Sequence, residues 1–254
     1  MKIISTGSKN KFIIILLLAA VLVYLMLHFQ TRNVTISKYF KGSYVRYSFR
    51  LHTPQNNFDM KSLTENDYKK LIDIEHFSFN IVNEQVCDSR DLFLLILVTS
   101  ATNDFDRRFN IRSTWGLYKR NVKMLFMLGM TADDQLQEVI EIESEVYRDI
   151  IQGNFMDTYR NLTYKSIMSL KYALYHCPKV RYILKVDDDT FVNMPLLLNF
   201  LKNNLPSNTS NLILCNDKTG SPVVRNKQSK WYVPEDVYSE AFYPSYCFGW
   251  YAIF

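Results

Sequence analysis

Apolar residues change their spacing from one stretch of this chain to the next, and each spacing predicts an element. Phe12–Phe29 is a continuous run of 18 residues without Asp, Glu, Lys or Arg. At about 1.5 Å of rise per residue, such a run just spans bilayer hydrocarbon. Residues 30–86 are polar, Tyr-rich and weakly periodic, which predicts a stem. The character changes near Asp91. Leu92–Ser100 is a short apolar run closing on polar loop residues, the pattern of a buried strand. Arg107–Gly116 predicts a short helix, and Met124–Gly129 a second strand. Ala132–Ile151 reads as a helix, acidic in its first turn as the macrodipole favours. Asp157 or Thr158 is placed to cap a long helix ending near His176, with Leu162, Leu170, Ala173, Leu174 and Cys177 close to helical spacing. Tyr182–Val186 predicts a third strand running into three consecutive aspartates. Pro195 opens a helix over Leu196–Asn204, and Asn211–Cys215 predicts a fourth strand. Strands alternating with helices imply an α/β fold with a mostly parallel sheet flanked by helices. Ligands in such folds bind outside the carboxyl ends of the strands.

Charge orients the apolar segment. Lys2, Lys9 and Lys11 precede it, and the positive-inside rule puts that end in the cytosol. The alternative is a cleaved signal peptide, but no small-x-small site follows the run. The expected organisation is a cytosolic tail (1–11), a transmembrane signal-anchor (12–29), a luminal stem (30–86) and a globular domain (87–254). Sequons at Asn33, Asn161 and Asn208 suit a luminal fate, with Asn208 in the polar loop the best acceptor. Four cysteines, Cys87, Cys177, Cys215 and Cys247, contain no C-x-x-C pair. That disfavours zinc and allows two disulfides in any of three connectivities, or free thiols. The net charge is +5, of which the three N-terminal lysines supply more than half, so no basic stripe marks a nucleic-acid partner. Hydrophobic residues at 48% are enough for a packed core, and seven glycines leave little room for a glycine-rich phosphate loop.

The chemistry concentrates at Asp187, Asp188 and Asp189. Three adjacent carboxylates repel unless solvated or bound to a cation. On an extended segment Asp187 and Asp189 would share a side and could hold a hard divalent ion. The bland reading is a solvated acidic turn. The apolar strand before it and Phe191-Val192 after it favour a built site. The spacing is not that of an EF-hand.

The segment Tyr182–Asn193 resembles the K-x-D-D-D-x-F-V-N motif of the beta-1,3-galactosyltransferase family, which includes beta-1,3-N-acetylglucosaminyltransferases and fringe-like proteins. Further blocks match in order. Arg108, Ile111, Arg112, Thr114, Trp115 and Gly116 fit R-x-x-I-R-x-T-W-G; Phe126 and Gly129 fit F-x-L-G. Glu145, Asp149 and Ile150, then Phe155, Asp157, Tyr159, Asn161 and Lys165, fit the central block. Lys230-Trp231 and Tyr243, Pro244, Tyr246, Cys247 and Gly249 fit the late ones. The resemblance covers about residues 87–254.

It implies a GT-A-type nucleotide-sugar-binding fold, a UDP-sugar donor, manganese as cofactor, a glycan acceptor on glycoprotein or glycolipid, and inversion at the anomeric carbon in a Golgi type II membrane enzyme anchored through Phe12–Phe29. Asp189, with Asp187, is then the expected metal ligand, and Asp188 contacts donor or metal. Arg108, Arg112, Asp157 and Lys165 are candidate donor-binding groups; a solvated helix face, a helix cap and an exposed lysine are their ordinary alternatives. Trp115 and Trp231 are expected in the core, and His52, His76 and His176 are expected to be structural or exposed. Departures exist. The family's general-base E-D-V motif lies downstream of Y-P-x-Y-C, whereas Glu235-Asp236-Val237 lies upstream and is taken as a chance match. The expected base carboxylate falls beyond Phe254. Gly249-Trp250-Tyr251 lacks a second glycine, and the apolar end at Tyr251–Phe254 is expected to be an unpaired strand of an incomplete chain. A non-catalytic relative that binds glycan or a partner, and a metal-dependent phosphohydrolase, are the competing functions.

Overall fold

A computed structural model describes residues 64–87, 92–118, 121–205 and 212–254. The expected anchor Phe12–Phe29, the sequons at Asn33 and Asn208, and His52 lie outside the described residues. Among the described residues no helix is long and apolar enough to cross a membrane.

The elements in chain order are α1 (Glu65–Tyr68), β1 (Phe79–Ile81), β2 (Leu94–Thr99), α2 (Phe105–Ser113), β3 (Val122–Met130), α3 (Asp134–Tyr147), β4 (Ile150–Met156), α4 (Leu162–His176), β5 (Tyr182–Asp187), α5 (Met194–Asn203), β6 (Leu214–Lys218) and β7 (Tyr246–Ile253). Seven described strands form one sheet in the order β1-β4-β3-β2-β5-β7-β6. The central strands β4, β3, β2 and β5 run parallel; β1, β7 and their neighbours pair antiparallel. This mostly parallel sheet with flanking helices fits a GT-A-type fold, as expected.

The central strand shows why its sequence is apolar throughout. Every residue of β2 is buried. Because side chains alternate across a strand, Leu94, Ile96 and Val98 pack on one face with Ile111 and Trp115, Ile140 of α3, and Met194, Leu198 and Leu201 of α5. Leu95 and Leu97 pack on the other with Met168, Tyr172 and Ala173 of α4. A strand covered on both sides has no solvent face, hence no polar alternation.

Several expectations change. Residues 64–87 belong to the packed unit rather than to a separate stem. Leu71 and Phe77 are buried against α4, Phe79 pairs with Gly153, and Cys87 is bonded to Cys177. The helix expected over Ala132–Ile151 stops at Tyr147, where Arg148 adopts a left-handed conformation (φ 54°), and Ile150–Met156 is a strand. Its start is as expected: Asp133 accepts hydrogen bonds from the Gln135 and Leu136 N–H groups. Helix α4 is not capped by Asp157 or Thr158, because a 3-10 turn, Tyr159–Asn161, intervenes. The segment expected to be an unpaired terminal strand is β7, held by β5 on one side and β6 on the other. The cysteines pair as Cys87–Cys177 and Cys215–Cys247. Trp115 is buried as expected, whereas Trp231 is largely exposed.

Candidate functional site

The sheet order reverses between β2 and β5. The chain leaves β2 toward β3 and β4 on one side, while β5 lies on the other. Connections therefore diverge at the carboxyl ends of these two strands, the place where a sheet of this kind usually takes its ligand in a crevice. Thr99 and Asp187 are register partners at that edge. The aspartates stand at its rim.

The extended arrangement expected for them is not what forms. β5 ends at Asp187, and a turn follows, closed by the Thr190 N–H donating to the Asp187 carbonyl at 3.2 Å. The Asp188 N–H donates to the Thr99 carbonyl at 3.1 Å, which stitches the turn to β2. The three side chains then meet different surroundings. The Asp188 carboxylate is only 7% exposed and takes a hydrogen bond from Arg107 at 2.9 Å. Its Oδ2 is buried without a hydrogen-bond partner, as is Thr99 Oγ1. Asp189 is 66% exposed. Asp187 is half-buried, 3.6 Å from Lys185 Nζ. Burial pushes the Asp187 carboxyl above the ordinary range, Lys185 opposes this, and Asp189 and Asp188 add to it.

This turn suits a hard divalent ion. Magnesium-like ions are commonly held by one or two carboxylates, with substrate phosphates and water completing the shell. Among the described residues no group of three His, Cys, Asp or Glu converges on one point. The described aspartates alone therefore do not make an all-protein cage.

Behind the crevice, two buried cations fix the loop that leaves β2. Lys165 is 2% exposed; its Nζ donates to the Ser100 carbonyl at 2.6 Å and to both Asp157 oxygens at 2.7 and 2.8 Å. Asp157 also accepts the Gly129 N–H at 2.8 Å, which ties the ends of β2, β3 and β4 together. Burial lowers the Lys165 ammonium pKa, opposed by Asp157. Arg108 is fully buried. It donates to the Ala101 carbonyl at 2.6 Å, the Thr102 carbonyl at 3.3 Å, Ser100 Oγ at 3.2 Å and both Glu143 oxygens. Glu143 also binds Arg112 at 2.6 Å, and Arg112 forks onto Asp149 at 2.7 and 2.8 Å.

The seven expected site residues therefore divide. Asp187, Asp188 and Asp189 line the crevice. Asp157 and Lys165 stand one layer behind it, engaged with each other. Arg108 has every donor committed within the protein and none for a diphosphate. Arg112 stacks on Tyr147 and lines a cavity of about 560 Å³ at the opposite, amino-terminal ends of β3 and β4. Arg108 thus braces the loop after β2, while Arg112 ties α2 to Glu143 and Asp149 away from the aspartate turn. The reading from sequence missed Arg107 and Thr99. Arg107 sits beside an arginine that had been singled out, one residue round the helix.

A family profile described as Galactosyltransferase matches residues 106–254, more than half of the chain. The chain belongs to the galactosyltransferase family. Among similar proteins, lactosylceramide 1,3-N-acetyl-beta-D-glucosaminyltransferase of Xenopus tropicalis is 36% identical over 184 residues, 68% of this chain and 48% of that protein. Beta-1,3-galactosyltransferase 1 of Mus musculus is 36% identical over 177 residues, 68% of this chain and 54% of that protein. Lactosylceramide 1,3-N-acetyl-beta-D-glucosaminyltransferase B of Danio rerio is 38% identical over 181 residues, 66% and 47% of the two chains. This galactosyltransferase-family chain spans about half the length of the curated relatives it matches. The matched region contains nearly all of α2, the aspartate turn and β7, and begins just after β2 and the loop that leaves it.

Proposed function

We propose that this chain is a hexosyltransferase that takes galactose or N-acetylglucosamine from a UDP-sugar and places it in beta-1,3 linkage on a glycan acceptor, with inversion. The observation that carries the reading is the aspartate turn at the β2/β5 crevice, with a buried, unpartnered carboxylate oxygen on Asp188, in a chain related to proteins named for that transfer. Asp187 and Asp189 would hold a manganese ion. Bound there, the ion supplies Lewis-acid neutralisation of charge on the departing diphosphate. The protein's own part is orientation. Asp188 is clamped to β2 and to α2, Lys165 and Arg108 fix the loop on the facing wall, and the crevice between them receives the nucleotide. The apolar Phe12–Phe29 run and its flanking lysines support a single-pass type II placement in the Golgi membrane.

Calorimetric titration of UDP into the full chain, with and without manganese, tests this. Manganese-dependent binding is expected in the wild type, with at least tenfold loss in Asp189→Ala. Absence of UDP binding by a folded sample, or an unchanged manganese-dependent affinity in Asp189→Ala, would sink it. Transfer assays with UDP-galactose and UDP-N-acetylglucosamine then separate the two donors.

A further inference from the structure

We infer that Arg107 is a tethered counter-ion for the aspartate turn, which holds Asp188 in the free protein, yields to an arriving divalent cation, and then binds the donor diphosphate. This rests on the donor-site reading above.

Charge balance comes first. Asp104, Asp187, Asp188 and Asp189 face Arg107 and Lys185 within ion-pair distance, while Asp157 is neutralised separately by Lys165. Four negative charges against two positive ones leave a deficit that one divalent ion removes. Arg107 is thus part of the compensation already present, and it sits on the same carboxylates that an ion would approach.

Its attachment is also loose where those of its neighbours are not. Arg108 is fully buried with all donors engaged, and Arg112 is nearly so. The Arg107 side chain is half-exposed and makes one hydrogen bond, to Asp188 Oδ1 at 2.9 Å. Its contacts with Asp104 and Asp189 are 4.0 Å, close enough for attraction and too long for hydrogen bonding. A cation seated against Asp189 would repel this guanidinium and leave it free to turn. A guanidinium at the crevice mouth suits the next arrival, since its planar fork matches phosphate oxygens in a way an ammonium does not.

The two stages predict opposite signs for one substitution, which a merely structural arginine would not produce. The full chain and its Arg107→Gln and Arg107→Lys variants are titrated with manganese, free ion being read by electron paramagnetic resonance, and then with UDP at saturating manganese. Circular dichroism checks the fold. Without nucleotide, Arg107→Gln is expected to bind manganese about twofold to fivefold more tightly, the upper range of one partly exposed ion pair. At saturating manganese it is expected to bind UDP about tenfold more weakly, having lost one charge-assisted phosphate contact. Arg107→Lys keeps the charge without the fork, so its manganese affinity stays near wild type while UDP affinity falls. Manganese-dependent UDP binding in the wild type, with manganese affinity unchanged or weakened in Arg107→Gln, overturns this inference alone. Absence of manganese binding in both, with or without UDP, overturns the donor-site reading as well.

Discussion

Glu143 is the residue whose loss should be felt most for its size. Its carboxylate is 8% exposed and lies between two guanidinium groups, one of them fully buried. It accepts from Arg108 at 2.7, 2.9 and 3.2 Å and from Arg112 at 2.6 Å. Glu143→Gln keeps the shape and removes the charge. Arg112 retains Asp149, but Arg108 is left with neutral partners only. Removing one member of a buried pair costs about 3–5 kcal/mol, because the remaining charge stays desolvated. At about 2–4 °C per kcal/mol for a domain of this size, Tm should fall by about 10 °C. Glu141→Gln, on the exposed side of the same helix, should stay within about 0.5 kcal/mol of wild type. The effect carries its own pH signature. Burial pushes the Glu143 carboxyl up, but the hydrogen bonds and charges of Arg108 and Arg112 outweigh it and hold it below the ordinary range. A carboxyl depressed on folding contributes stability that is complete above its unfolded value of about 4.3 and is lost as pH falls through the lower folded value. The Tm gap between wild type and Glu143→Gln should therefore be full at pH 6 and narrow below about pH 4. Thermal denaturation by circular dichroism from pH 6 to pH 2.5 measures both. A gap under 2 °C at pH 6, or one that widens on acidification, refutes the reasoning.

Two further perturbations probe how the crevice is framed. A Cβ built on Gly129 would lie 2.7 Å from the Phe155 carbonyl oxygen and 3.0 Å from the Asp157 backbone, so Gly129→Ala must push β4 away from β3. The expected cost is about 1–3 kcal/mol, with weaker UDP binding as Asp157 and Lys165 shift; calorimetry with unchanged affinity would contradict the coupling. The Cys87–Cys177 bridge spans 90 residues and Cys215–Cys247 spans 32, so chain entropy makes the first worth about 1 kcal/mol more. Urea denaturation of the two double-serine variants should rank them in that order, and the reverse ranking would count against the entropic account.

The elements that could be read from sequence are those whose pattern is decided locally. β2, β3 and β5 are mainly apolar runs bounded by polar residues, and β2, buried on both faces, is apolar throughout its core. α3 and α5 carry their start signals in Asp133 and Pro195. The elements that were missed depend on distant partners. β4 begins with Ile150-Ile151 directly after a helix, and only the left-handed turn at Arg148 separates the two. β7 has four exposed residues in a row and no clean alternation, so its pairing with β5 and β6 is visible only in three dimensions. Residues 64–87 look like a stem because their few apolar anchors, Leu71 and Phe77, find their partners on α4, about a hundred residues away. The aspartate turn was legible as chemistry, while its backbone was not: a turn closed by the Thr190 N–H on the Asp187 carbonyl replaces the expected extended run.

The arginines show how the missing information was nevertheless partly present. Successive residues on a helix are rotated by about 100°, so positions separated by three, four and seven share a face. Arg108, Ile111, Arg112 and Trp115 have that spacing, and two of the four are apolar residues that must be buried. The arginines between them are carried to the same side, where Glu143 and Asp149 meet them. Arg107 is one step round from Arg108 and comes out over the aspartate turn instead. The charge on α2 that faces the crevice is therefore the one excluded from the apolar stripe. The same rule sorts ligand-facing from loop-bracing cations on any short helix beside a strand end: a basic residue in register with the core hydrophobes needs a buried acid, and a basic residue out of register is available to the site.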